Sequence, residues 1–209
     1  MPHDSDGSIP TRLTLLARLK DRADQRSWQE FFDTYRRLVY GVARQAGLSE
    51  SEAQDAVQET FLAVSKSIER FRPDPARGSF KNWLLQITRR RIADQYRQRD
   101  KRVVAGSSTP DDSTGTATIE RVPDPASLVQ DEVWETEWRQ NLASVAMERV
   151  KNRVRPKQWL IFRQLVIEER TSRQVAEQCG VSLAQVYVAK HRVGAEIKKE
   201  VRRLQKRMP

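Results

Sequence analysis

Apolar side chains along this chain recur at helical spacing. Trp28, Phe31, Phe32, Tyr35, Val39 and Val42 stand at i, i+3, i+4, i+7, i+11 and i+14, which draws one stripe along a helix. Leu13, Leu16 and Leu19 predict a short helix before it. A third helix is expected to start near Ser49 or Ser51 and to bury Ala53, Ala56, Val57, Phe61 and Val64. Ser49 and Glu52 have the spacing of a capping box, in which each satisfies a free amide at the helix start. The segment FRPDPARG (71–78) is a turn-rich loop, and Phe80, Trp83, Leu84 and Ile87 then open a fourth helix. Trp83, flanked by Leu84 and Leu85, is expected in the core. Residues 128 to about 150, and 158 to about 167, repeat the helical pattern. No stretch alternates with period two for long enough to demand a strand, so the expected fold class is all-α.

One stretch has no hydrophobic period. Residues 106–125, GSSTPDDSTGTATIERVPDP, hold fifteen Gly, Ser, Thr, Pro or Asp in twenty positions, the composition of a flexible linker. The expected organisation is an N-terminal tail (1–10), a helical domain (11–102), a linker (103–126) and a second helical domain (127–209).

Near the C-terminus two short helices are announced by their ends. Thr171-Ser-Arg-Gln174 and Ser182-Leu-Ala-Gln185 both have capping-box form. Gly180 lies between them, where a helix end favours a left-handed residue. Val175, Ala176 and Cys179 face inward on the first helix, and Val186, Ala189, Val193 and Ile197 on the second, with Val181 packing the turn. This spacing matches a helix-turn-helix, whose second helix enters the major groove. Ser182, Gln185, Tyr187, Val188, Lys190, His191 and Arg192 then point toward the nucleic acid. Gln and Arg suit bidentate bonds to base edges, whereas Lys positions phosphates.

Charge sharpens this picture. The 209 residues carry 38 Lys and Arg against 28 Asp and Glu, a net +10, which makes a polyanion the first partner to consider. The excess is concentrated. Residues 81–102 hold eight basic and two acidic residues, and residues 190–209 hold the same numbers, +6 in each case. In the first of these segments Lys81, Arg89, Arg90, Arg91, Arg97 and Arg99 are interleaved with Trp83 and Tyr96, so phosphate contact is expected there. The tail 198–209 either extends the last helix or frays, and its charge suits phosphates in both cases. Cys179 is the only cysteine, so an internal disulfide is excluded, and with His3 and His191 far apart neither a structural zinc nor a cofactor is expected. Cys179 itself is expected to be a small core residue. No window has the length and apolarity of a membrane span, and MPHDSDGSIP lacks the basic start and apolar run of a secretory signal. A cytoplasmic location is expected.

Taken in order, these segments resemble the extracytoplasmic-function sigma factors, the smallest branch of the sigma-70 family, from about Thr11 to Gln205. Asp55-Ala-Val-Gln58-Glu59-Thr60-Phe61 is similar to the acidic helix of region 2.2, which implies that Asp55, Gln58 and Glu59 dock on the beta-prime coiled coil of core RNA polymerase. GSFKNWLLQITRRRIADQYR resembles regions 2.3 and 2.4, which open and read the −10 promoter element. Lys81, Asn82, Arg89, Arg90, Arg91 and Arg97 are its DNA-contact candidates, with the loop 72–79 holding flipped bases. The C-terminal unit resembles region 4.2, which reads the −35 element, with the beta flap as a further partner. Gln174 stands where the family usually has Glu, a change that keeps the cap. The resemblance implies a non-enzymatic initiation factor and an anti-sigma factor as a candidate regulator, which no residue here identifies.

Two readings of other classes compete. An autonomous repressor would use the helix-turn-helix as a dimer on a palindrome, but leaves the acidic docking segment without a role. A recombinase-like enzyme needs a nucleophile among clustered basic partners, and neither Ser65 nor Tyr40 has such a setting.

Overall fold

A computed structural model describes residues 15–72, 79–106 and 129–207. Among the described residues the elements are helices: α1 (Leu15–Leu19), α2 (Gln25–Gln45), α3 (Glu50–Ser67), α4 (Phe80–Gly106), α5 (Asp131–Lys151), α6 (Pro156–Phe162) running into a π-helical turn (Arg163–Ile167), α7 (Ser172–Cys179) and α8 (Leu183–Arg207). The all-α expectation holds for them. No helix of these residues is long and apolar enough to cross a membrane. Leu13, the expected N-terminal tail, most of the loop 72–79 and residues 107–126 of the expected linker lie outside the described residues. The first four linker positions, 103–106, instead continue α4.

Helix starts follow local chemistry. Asp24 caps α2, its carboxylate accepting the amide of Ser27 at 3.0 Å and the Ser27 hydroxyl at 2.6 Å. These hydrogen bonds hold its carboxyl below the usual range. Of the two candidates for the α3 start, Ser49 is the N-cap, in a reciprocal box with Glu52. Between α2 and α3 the chain turns through Gly47 at φ +88°, where a Cβ would also stand 3.0 Å from the Tyr96 hydroxyl. That hydroxyl donates to the carbonyl of Ala46, pinning the turn to α4.

The apolar stripe of α2 is shifted from the expected one. Phe31, Tyr35, Leu38, Val39 and Val42 are buried, but Phe32 is exposed at the stripe's edge. There its ring packs on Phe61, with the Arg36 guanidinium 5.9 Å from its centroid. Trp83, expected inside, is half-buried against Phe71 and Phe80.

The largest departure concerns the core. The sequence divides into two halves at the linker, but the main core runs through both, joining Phe31, Tyr35, Phe80 and Leu84 to Trp134, Trp138, Leu142 and Leu204. Helix α5 lies between α2 on one side and α8 on the other. Trp138 stacks on Tyr35 at 5.4 Å and Trp134 packs beside it. The buried Asn141 amide donates to the carbonyl of Thr34 at 2.8 Å. Two smaller clusters complete the C-terminal half: Val150, Phe162 and Val193, and then Ile161, Val175, Ala176, Val186 and Ala189.

Truncating Trp138 to Ala should cost about 3–5 kcal/mol, the usual range for emptying a buried aromatic site, read as a lower urea midpoint. A second expectation concerns pH. The Arg99 guanidinium, hydrogen-bonded to Glu52, outweighs partial burial and lowers that carboxyl from the ordinary 4.5 to about 2. A depressed carboxylate stabilises the fold above its unfolded pKa, so this contribution should be complete above pH 4.5 and vanish as pH falls toward 2. Denaturant titrations across that window should show a smaller loss in Glu52→Gln than in the parent chain.

Candidate nucleic-acid interface

The C-terminal helix pair is built by its caps. The hydroxyl of Thr171 accepts the amide of Gln174 at 3.3 Å, and the Gln174 side chain accepts the amide of Thr171 at 3.0 Å. Ser182 and Gln185 make the same reciprocal pair, at 3.3 and 3.0 Å. Between them Gly180 takes the left-handed conformation, φ 58° and ψ 52°. Val181 then donates back to the carbonyl of Ala176, which closes α7 and aims α8 across it. Val186, Ala189 and Val193 are buried under α8, while Cys179 is half-buried and its thiol lies 3.4 Å from the Gln164 side chain.

This packing leaves one face of α8 uncovered. Ser182, Gln185, Tyr187, Val188, Lys190, His191 and Arg192 are all exposed, and Tyr187 and Val188 are half or more open to solvent. Such a surface combines base-edge donors, a phosphate-positioning lysine and apolar contacts on one helix. The tail is not a free charged extension. Helix α8 continues to Arg207, burying Leu204 in the main core and Glu200 among Arg149 and Arg153. Burial pushes the Glu200 carboxyl up, but the two guanidinium groups prevail and hold it below its ordinary value.

The N-terminal basic helix is divided in its exposure. Asn82, Arg90 and Arg97 are exposed, and Arg91 is partly so, with Asp94 within 3.0 Å of Arg91 and 2.7 Å of Arg97. Asn82, Trp83, Gln86 and Arg90 line an open cleft whose other wall is Arg70, Phe71 and Arg72. Three arginines beside a half-exposed indole offer phosphate contact and stacking in one place. Arg72 opens the loop expected to hold flipped bases, whereas Arg70 and Gln86 were not among the sequence candidates. Lys81 and Arg89 are not brought to this cleft. Lys81 pairs with Glu135 of α5. Arg89 is buried, donating from Nε to the Val129 carbonyl at 3.0 Å and from Nη2 to Asp131 at 2.8 Å.

On α3, Asp55 and Gln58 are exposed and Glu59 is half-buried, with Oε2 enclosed and unpartnered among the described residues. Phe32, Arg36, Tyr40, Gln54 and Gln58 line one shallow groove beside them. The acidic and polar edge is therefore bordered by apolar surface at Phe32 and Leu62. No group of three His, Cys, Asp or Glu among the described residues is placed to hold a metal ion.

Residues 31–102, which cover most of α2, all of α3 and most of α4, match the model of sigma-70 region 2. The chain is also 30% identical over 92 residues to the ECF RNA polymerase sigma factor SigE of Mycolicibacterium smegmatis. Over this stretch the chain is similar to sigma-70 region 2 and to extracytoplasmic-function sigma factors. The SigE match takes in 44% of this chain and 34% of that protein. SigK of Mycobacterium tuberculosis is 32% identical over 74 residues, 35% of this chain and 38% of its own length. NccH of Alcaligenes xylosoxydans xylosoxydans, a sigma factor by name, is 31% identical over 87 residues, 42% of this chain and 45% of its own. The chain thus spans less than half the length of these curated relatives. Among solved structures, one chain from the structure of CnrH in complex with the cytosolic domain of CnrY aligns over 88% of this chain and 93% of its own, at 18% identity and a TM-score of 0.34. The matched stretch spans both the acidic edge of α3 and the basic cleft of α4.

Gly180→Ala should lower stability by about 1–2 kcal/mol through left-handed strain alone, because no atom of the described residues stands within 4 Å of the added Cβ. A thermal melt checks this, and a neutral outcome would mean that the turn between α7 and α8 relaxes without loss.

Proposed function

We propose that this chain is a promoter-specificity subunit of bacterial RNA polymerase, acting in the cytoplasm, which binds the core enzyme and directs initiation without catalysing a reaction itself. The observation that carries the reading is the region 2 match across α2–α4, which joins an acidic-apolar edge to a basic, indole-lined cleft. In this reading Asp55, Gln58 and Glu59 dock on the beta-prime coiled coil. Asn82, Arg90, Arg91 and Arg97, joined by Lys81 and Arg89, hold the melted −10 element. Unstacking a base costs a few kcal/mol, which phosphate contacts and a stacking ring must offset. The α7–α8 pair acts as a helix-turn-helix at the −35 element through Gln185, Tyr187, Val188, Lys190, His191 and Arg192, with Ser182 at its cap. The remaining surface of the second domain meets the beta flap. An anti-sigma factor is a natural regulator for a factor of this branch. An autonomous repressor would need the α8 surface and would leave the α3 edge idle.

Run-off transcription with purified core polymerase and a pooled genomic promoter library tests the reading. Discrete start sites that depend on the chain are expected. Binding to duplex operators with neither core binding nor initiation would overturn it in favour of a repressor. Asp55→Lys combined with Gln58→Lys reverses the exposed docking edge and spares the half-enclosed Glu59. Core affinity is expected to fall at least about tenfold, roughly 1.4 kcal/mol, with an unchanged circular dichroism spectrum. Undiminished affinity would remove α3 from the docking surface.

A further inference from the structure

The outer ridge of α4 runs through Gln86, Arg90, Asp94, Arg97 and Lys101, at helical spacing. Asp94 is the one carboxylate of these five, and it stands between the cations instead of beyond them. Its Oδ2 lies 3.0 Å from Nη1 of Arg91, and its Oδ1 lies 2.7 Å from Nη1 of Arg97. Each oxygen therefore takes one guanidinium, about one turn to either side. The carboxylate is also the deepest of the three groups, 28% exposed against 34% for Arg91 and 48% for Arg97. The Nε of Arg91 is enclosed as well, without a partner among the described residues. Both guanidinium groups are thus held from beneath at one nitrogen, which leaves N–H groups on the other for acceptors outside the helix.

Stability does not account for this arrangement. Partly exposed ion pairs contribute little to folding. The Arg91–Asp94 pair also runs in the weaker direction along a helix, with the base ahead of the acid. On a face that binds a polyanion, a carboxylate opposes binding outright, because it offsets one of the charges of Arg90, Arg91, Arg97 and Lys101. What it supplies is geometry. Two long side chains that would otherwise sample many rotamers are tied to one point, their backbone positions about 9 Å apart along the helix axis. General attraction falls with the net charge, whereas acceptors that match the two fixed guanidinium groups keep their contacts. We propose that Asp94 is a positioning residue for DNA recognition by α4, a shared counter-ion that fixes Arg91 and Arg97 and lowers general phosphate affinity in favour of discrimination. The proposal rests on the reading of α4 as the helix that meets the −10 element.

The test uses the full chain assembled with purified core polymerase, and three variants: Asp94→Asn, Asp94→Glu and Asp100→Asn. Asp100 is exposed on the same helix but lies outside the ridge, so its change matches the first in charge alone. Discrimination is read as the transcript yield at the parent's start sites relative to all others from a pooled genomic promoter library. General affinity is read as binding of a mixed-sequence single-stranded oligonucleotide by the same assembly over a salt series. Asp94→Asn should melt with the parent, tighten oligonucleotide binding about two- to fivefold at low salt and lower discrimination at least about threefold. Asp94→Glu, which keeps the counter-ion, should restore discrimination. Asp100→Asn should tighten oligonucleotide binding to a similar degree and leave discrimination unchanged. Discrimination kept by Asp94→Asn, or lost equally by Asp100→Asn, would overturn the positioning role and leave the sigma-factor reading intact. So would an Asp94→Asn chain that melts well below the parent, which would assign Asp94 to the fold. A parent chain that adds no start sites to core polymerase would overturn both readings.

Discussion

Burial of the two tryptophans of α5 is the contact on which the rest of the arrangement depends. Trp138 lies against Tyr35 and near Phe80, and Trp134 beside it is 1% exposed. Removing an aromatic side chain of that size from water is worth roughly 4–6 kcal/mol. The ion pairs around it, Lys81–Glu135 and Arg149–Glu30 among them, are partly exposed and worth roughly 0–1 kcal/mol each. Apolar burial therefore decides that α5 packs on α2, and the charges decide which residues lie at the edges of the contact. From α5 outward, α8 is held through Leu204 and the Arg149–Glu200–Arg153 group, and α6 and α7 are held by α8.

This hierarchy explains why the basic segments behave differently. On α8 the buried stripe of Val186, Ala189 and Val193 faces a small local core, so its polar face is turned outward by its own helix period. On α4 a second surface, α5, approaches from the side and takes Lys81 and Arg89, while Asn82 and Arg90 stay open to solvent. One helix thus carries an accessible cationic cleft and a sequestered cationic flank. The match to sigma-70 region 2 spans both of these surfaces.

Much of the fold was legible in the residues because its causes are local. Capping pairs at Ser49, Thr171 and Ser182, the left-handed position at Gly180, and the buried positions of α3 and α8 all depend on residues within a few places of one another. The exposed recognition face of α8 follows from the same periodicity. Phe32 shows the limit of that signal: it lies at the edge of a helical stripe, and only the position of Phe61 on α3 settles what it touches. The cleft-lining Arg70 and Gln86 were missed because a cleft is made by two segments, and neither segment alone defines it.

By itself, the sequence determined that the chain is helical, where its helices begin, and that its positive charge gathers in two segments. It also carried the order of motifs on which the resemblance to sigma factors rests. Only the tertiary structure decided that α5 closes on α2 and α4, and that Arg89 and Lys81 are spoken for by carboxylates 42 and 54 residues away. Helical periodicity specifies which side of a helix is apolar but not which neighbour covers its flank. A count of charges likewise records their sign but not their partners, and the partners here are set by the burial of tryptophans on a different helix.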